Sequence, residues 1–219
     1  MELYDVMRTT AAVREYTDDP LPDDVVERIL DNARFAPSGG NRQGTRVIVV
    51  RDTQTREALI ELAIPGTRRY IAQLRNGERP WNPLEPMRVT AEQVAATEVP
   101  SRSPLRDAAV VLVVCVDLGA VAAFDQDLAR IGVIAGASVY PFVWNILLAA
   151  RNEGYGGVLT TAVVAEEPRA KELLGIPENY AIAAVLPLGK PVRQLRKLNR
   201  KPVAEIATRE RFDGASFGS

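Results

Sequence analysis

Hydrophobic positions along the chain fall into a few periodic stretches separated by turn chemistry. Pro22, Asp23 and Asp24 open the first stretch. Proline suits the first helical position, and acids favour the positive end of the helix dipole. Val25, Val26, Ile29, Leu30 and Ala33 then recur at helical spacing and predict one apolar face. Val47 to Val50 is a short β-branched run that reads as a buried strand. Asp52 is placed to cap a helix carrying Ala58, Leu59, Leu62 and Ala63, and the pattern ends that helix near Pro65. From Pro65 to Pro104 periodicity lapses. Prolines at 80, 83, 86, 100 and 104 among many charges predict a long excursion of the kind that serves as a lid.

Ala108 to Val116 is continuously apolar, the signature of a strand in the middle of a sheet. Ile134 to Arg151 is apolar on nearly every side and predicts a helix buried all round, kinked or jointed at Pro141. In a chain of this size such a helix calls for a second subunit to cover it. Gly154, Gly156 and Gly157 lead into a predicted strand Val158-Leu159-Thr160-Thr161, and Glu166 to Leu174 reads as a helix stopped by Gly175 and Pro177. Ala181 to Leu188 supplies the last strand. The tail from Gly189 carries Lys190, Arg193, Arg196, Lys197, Arg200 and Lys201, and is expected to wrap over a surface rather than form a domain. One domain over residues 1–219 is expected.

Composition narrows the chemistry. With 27 basic and 28 acidic residues the net charge is −1, so no overall field draws a polyanion, and no nucleic-acid role is expected. The chain has no histidine and one cysteine, Cys115, inside the run AAVVLVVCV. Histidine-based triads, dyads and metal sites are therefore excluded, as are zinc–cysteine clusters, and Cys115 reads as a small core hydrophobe. No run reaches the roughly 18 apolar residues of a membrane helix, and Glu2 and Asp5 stand where a signal peptide would be basic then apolar, so a cytoplasmic location without a membrane partner is expected. No P-loop and no strand-linked G-x-G-x-x-G occurs. Side chains of this inventory call for a borrowed cofactor if the chemistry is redox.

The most specific stretch is Ala36-Pro37-Ser38-Gly39-Gly40-Asn41-Arg42-Gln43, directly after the first amphipathic helix and about twenty residues beyond Val13-Arg14-Glu15-Tyr16. With the buried helix, its glycine turn and the basic tail, these segments in this order resemble the FMN-dependent nitroreductase family, from about residue 5 to about residue 207. Leu147 to Thr161 resembles the branch that includes flavin destructases and dehalogenases. The resemblance implies a three-layer α+β fold with a mainly antiparallel central sheet flanked by helices, assembled as an intertwined homodimer. It implies one FMN per subunit at the dimer interface, with Arg14 and Arg200 on the phosphate and Lys201 close by. Pro37, Ser38, Gly39, Asn41 and Gln43 would lie beside the flavin, from the same or the other chain. Gly157, Leu159, Thr160 and Thr161 would stand at the strand end, where a threonine hydroxyl meets the flavin N5. No catalytic side chain is implied beyond that hydrogen bond.

The implied activity passes electrons from NAD(P)H to a small organic acceptor, nitroaromatic or quinone, by a ping-pong mechanism. The alternatives are a flavin-sequestering protein with little turnover and a reductive dehalogenase or flavin destructase. One departure stands out: where the family carries one or two arginines and a serine before Arg14, this chain has Thr10, Ala11 and Ala12. At roughly 1.5–3 kcal/mol per charged hydrogen bond, that loss weakens FMN by a few decades unless another residue substitutes. Arg8, one turn back, is the candidate.

Overall fold

A computed structural model describes residues 1–218. Its frame is a four-stranded sheet, β1 (Thr45–Val50), β2 (Val110–Asp117), β3 (Gly156–Gly157) and β4 (Tyr180–Gly189), in the order β1-β2-β4-β3. Every neighbouring pair is antiparallel. The apolar run predicted to lie mid-sheet does so: Val110 to Val116 of β2 are all buried between β1 and β4.

Because successive strand side chains point to opposite faces, β2 feeds two cores. Val110, Leu112, Val114 and Val116 meet the helices α2 (Asp23–Ala33) and α6 (Tyr140–Asn152) on one face. Val111, Val113 and Cys115 meet α3 (Thr53–Arg75) and α7 (Glu167–Leu174) on the other. The result is the expected three-layer α+β arrangement. Cys115 is buried, and that burial pushes its thiol up to about 11, consistent with packing rather than reactivity. No described helix is long and apolar enough to cross a membrane.

Several expectations need correction. The helix capped by Asp52, whose carboxylate accepts from the Thr55 N–H at 2.7 Å, does not end near Pro65 but continues to Arg75. A proline inside a helix costs about 3 kcal/mol. Here the helix is held from outside by buried Leu59, Ile60 and Leu62 before the proline and by Ala72 and Gln73 after it. Gly66 also lets the turn Ala162–Glu166 approach so closely that a Cβ would stand 2.6 Å from the Ala162 carbonyl oxygen. The excursion therefore begins at Asn76, and it contains two short helices, α4 (Ala91–Ala95) and α5 (Pro104–Asp107).

Val158 to Thr161 does not form a strand. Only Gly156–Gly157 pairs with β4, followed by a single bridge between Thr160 and Val185. The helix expected from Ile134 starts at Tyr140, with a 3₁₀ turn over Ile134–Ser138 before it, so Pro141 marks a joint in the first turn. Nor is it buried all round within one chain: Tyr140 and Trp144, one turn apart, each stay 45% exposed. A helix without a counterpart in the periodicity, α1 (Leu3–Thr9), leaves Leu3, Tyr4 and Met7 exposed.

Candidate functional site

The segment carrying Arg14 is fixed to the sheet edge by main-chain hydrogen bonds. Val13 N–H donates to the Gly157 carbonyl at 2.9 Å and Thr17 N–H to the Lys190 carbonyl at 2.9 Å. Tyr16 is buried, its hydroxyl 2.7 Å from the Val13 carbonyl and 3.0 Å from that of Pro187. Burial of the phenol drives its pKa well above the ordinary tyrosine value and keeps it neutral. Gly157 is demanded here: a Cβ would stand 2.6 Å from the Pro187 carbonyl oxygen and strike the Leu188 side chain. Arg14, Leu159, Thr160 and Thr161 then line one cavity of about 740 Å³, with Gly66, Thr67 and Tyr70 of α3, Trp81 and Pro104 opposite. Its lining contains no carboxylate.

The Pro37 to Gln43 loop lines a different cavity, of about 720 Å³. Pro37, Ser38 and Gln43 stand there with Ser138, Phe142 and the acidic side of α2. Ser38 Oγ accepts from the Gln43 N–H at 2.9 Å, and Gly39 N–H donates to Ser138 Oγ at 3.1 Å. Gly40, Asn41 and Gln43 hold φ of 60°, 53° and 50°, the left-handed region. Such strain in non-glycine residues persists where surrounding structure enforces it and concentrates at functional sites. Gly39 and Asn41 lie in the exposed turn itself.

The structure thus gathers Arg14 with Leu159, Thr160 and Thr161, and Pro37 with Ser38 and Gln43, but keeps the two groups in separate cavities. Arg8 does not line the Arg14 cavity. Its guanidinium lies over the Tyr4 ring, 6.0 Å from the centroid. Thr10, at a position where an arginine was missed, turns its hydroxyl into its own helix at 2.7 Å from the Val6 carbonyl, while Ala12 pairs with Gly157. Arg200 is exposed and donates to the Asn199 carbonyl at 2.7 Å, and Lys201 is 4.0 Å from Glu205. The tail is tied to the N-terminal segment through Val192 and Gln194; the described hydrogen bonds beyond Leu195 run within the tail itself. Sequence reasoning missed Tyr70, Thr67 and Gly66 as cavity residues, because it ended α3 before them.

The profile of the Nitroreductase family matches residues 7–190, most of the chain. The chain belongs to that family. Among its relatives, an NADH dehydrogenase of Thermus thermophilus is 30% identical over 200 residues, covering 89% of each protein. An iodotyrosine deiodinase of Nematostella vectensis is 26% identical, covering 94% of this chain and 74% of the deiodinase. The solved structure of the Vibrio harveyi NADPH:FMN oxidoreductase complexed with NAD+ superimposes with a TM-score of 0.68 at 21% identity, covering 98% of this chain and 79% of that one. The fold is the nitroreductase fold.

Proposed function

We propose that this protein is a cytoplasmic FMN-dependent oxidoreductase that carries electrons from NAD(P)H to a small organic acceptor, a nitroaromatic or quinone, with the cofactor held between two copies of the chain. The observation that carries this reading is the division of the family's motif residues between two cavities of one chain. A second copy would bring both groups onto one ligand, and this chain leaves apolar surface for one: Tyr140, Trp144 and Phe35 are exposed. The names of the Thermus and Vibrio relatives agree with it.

The donor set fits the group. Arg14 would offer a guanidinium fork to the phosphate in a cavity without carboxylates, and Arg200 and Lys201 stand exposed on the tail. Gly39 and Gly40, which carry no Cβ, would let backbone approach a planar ring. Thr160 and Thr161, which line that cavity, would offer hydroxyls to the flavin and tune its potential rather than move protons. When bound, FMN supplies the hydride acceptance and electron delivery that no side chain here can perform. Donor and acceptor would take turns at the bound flavin, so ping-pong kinetics are expected.

Purified protein should carry or take up FMN and oxidise NAD(P)H with parallel-line kinetics against an acceptor. A protein that neither binds added FMN nor oxidises NAD(P)H rejects the reading. Arg14→Ala should weaken FMN by about 2–4 kcal/mol, and unchanged affinity would assign the phosphate to another residue. The deiodinase relative favours one second reading, reductive dehalogenation, which a halide-release assay with haloaromatic substrates separates from the first.

A further inference from the structure

Trp81 is held in a way that a surface loop residue does not require. Its φ is +54°, a costly conformation for a bulky side chain. Its N–H donates to Gln73 Oε1 at 3.1 Å, and the other end of that buried amide donates to Glu78 Oε2 at 3.0 Å. Its indole Nε1 donates to the Gly66 carbonyl at 3.3 Å, and the Arg69 guanidinium stacks on the ring 3.8 Å from the centroid. All this fixes a ring that remains 46% exposed at the wall of the Thr160–Thr161 cavity. Beside it, the Nε atoms of Arg68 and Arg69 are buried without a partner, and among the described residues neither arginine sits in an ion pair. The cavity thus presents a fixed aromatic face and a lining free of carboxylates, with the unpaired charge of Arg69 stacked on the indole just outside that lining.

We propose that Trp81 and Arg69 form the recognition element for a planar aromatic anion, an electron-poor ring bearing a carboxylate or sulfonate, at the mouth of this cavity. The ring of the ligand stacks on the indole, and its negative charge answers the guanidinium that the indole carries. Glu78 and Gln73 act as positioning residues that set the angle of the indole. The proposal rests on the electron-carrying reading only in taking that ligand for the acceptor.

The test compares 4-nitrobenzoate with 4-nitrobenzamide, nearly isosteric and differing in charge, by calorimetric binding to the oxidised protein, with flavin content followed by absorbance. The benzoate should bind about tenfold more tightly. Arg69→Gln should bring that ratio close to one with flavin content unchanged. Trp81→Ala should weaken both ligands about tenfold, while Trp81→Phe, which keeps a stacking face, restores most of the loss. Equal affinity of the two ligands in the unaltered protein, or a ratio that survives Arg69→Gln, overturns the proposal. Loss of FMN in Trp81→Ala also overturns it, because the platform then belongs to the cofactor. Charge-selective binding without NAD(P)H oxidation would leave the recognition element standing and remove the electron-carrying reading; turnover without charge selectivity would do the reverse.

Discussion

Gly157→Ala tests the joint on which the Arg14 side of the site is built. The added Cβ would stand 2.6 Å from the Pro187 carbonyl oxygen, collide with the Leu188 side chain and lie 3.3 Å from Leu147 Cδ2. Relief by side-chain rotation is closed off, since Leu188 is fully buried and the Pro187 oxygen is backbone of β4 already near the Tyr16 hydroxyl. The strand must instead retreat from β4, giving up its pairing with Leu188 and Gly189 and drawing away the carbonyl that receives the Val13 N–H. Overpacking of this kind costs about 1–3 kcal/mol and each lost hydrogen bond about 1 kcal/mol, so about 2–4 kcal/mol is expected. For a chain of this length that lowers the melting midpoint by roughly 4–16 °C. Gly175→Ala is the control, because at φ +63° nothing lies within 4 Å of the added methyl and only backbone strain, about 1–2 kcal/mol, is introduced. Unfolding should be followed with and without added FMN, because displacement of Arg14 should also weaken flavin binding. A Gly157→Ala protein that melts like the unaltered chain, or loses less than Gly175→Ala, would refute the packing argument.

The exposed Tyr140 and Trp144 predict a dimer in sedimentation, near twice the 23.9 kDa chain mass, that Trp144→Arg converts to monomer with loss of FMN; an unaltered chain that runs as a stable monomer contradicts this. Burial works to raise the Glu78 carboxyl, but hydrogen bonds from Asn76, Gln73 and the Arg88 and Val89 backbones prevail and lower it from 4.5 to about 2. Its folded value lies below its unfolded one, so its anchoring of the Trp81 loop is complete above pH 4.5 and is lost as pH falls toward 2. Trp81 fluorescence in a Trp144→Phe background should change within that window, and a transition confined to higher pH would point to another group.

Much of the frame was legible because its signals are local. The spacing of Val25, Val26, Ile29 and Ala33 and the unbroken run from Val110 to Val116 state which faces are buried, and the structure buries them. The stop of α7 at Gly175 could also be read, since Gly175 takes the left-handed conformation that closes a helix. The motif residues at 37 to 43 and the pair Thr160–Thr161 could be named as candidates only through the resemblance to the family, since each segment by itself reads as an ordinary loop or strand end.

What the chain could not show locally was decided by contacts between distant segments. Pro65 reads as a helix end because its penalty is visible in the sequence, whereas the packing of Gly66 against Ala162 that offsets it is not. Val158 to Thr161 has the residues of a strand, yet apart from the Thr160–Val185 bridge the ladder stops at Gly157. Nothing local in the sequence shows that Trp81 is fixed; Gln73, Glu78 and Arg69 do so only in the fold. The sequence by itself determined which faces of the main segments are apolar and the chemical inventory, because periodicity and residue type are properties of single segments; the layers followed from the family resemblance. Only the tertiary structure decided that Arg14 shares a cavity with Thr160 while Ser38 lines another, because that grouping depends on how residues far apart in the chain pack against one sheet.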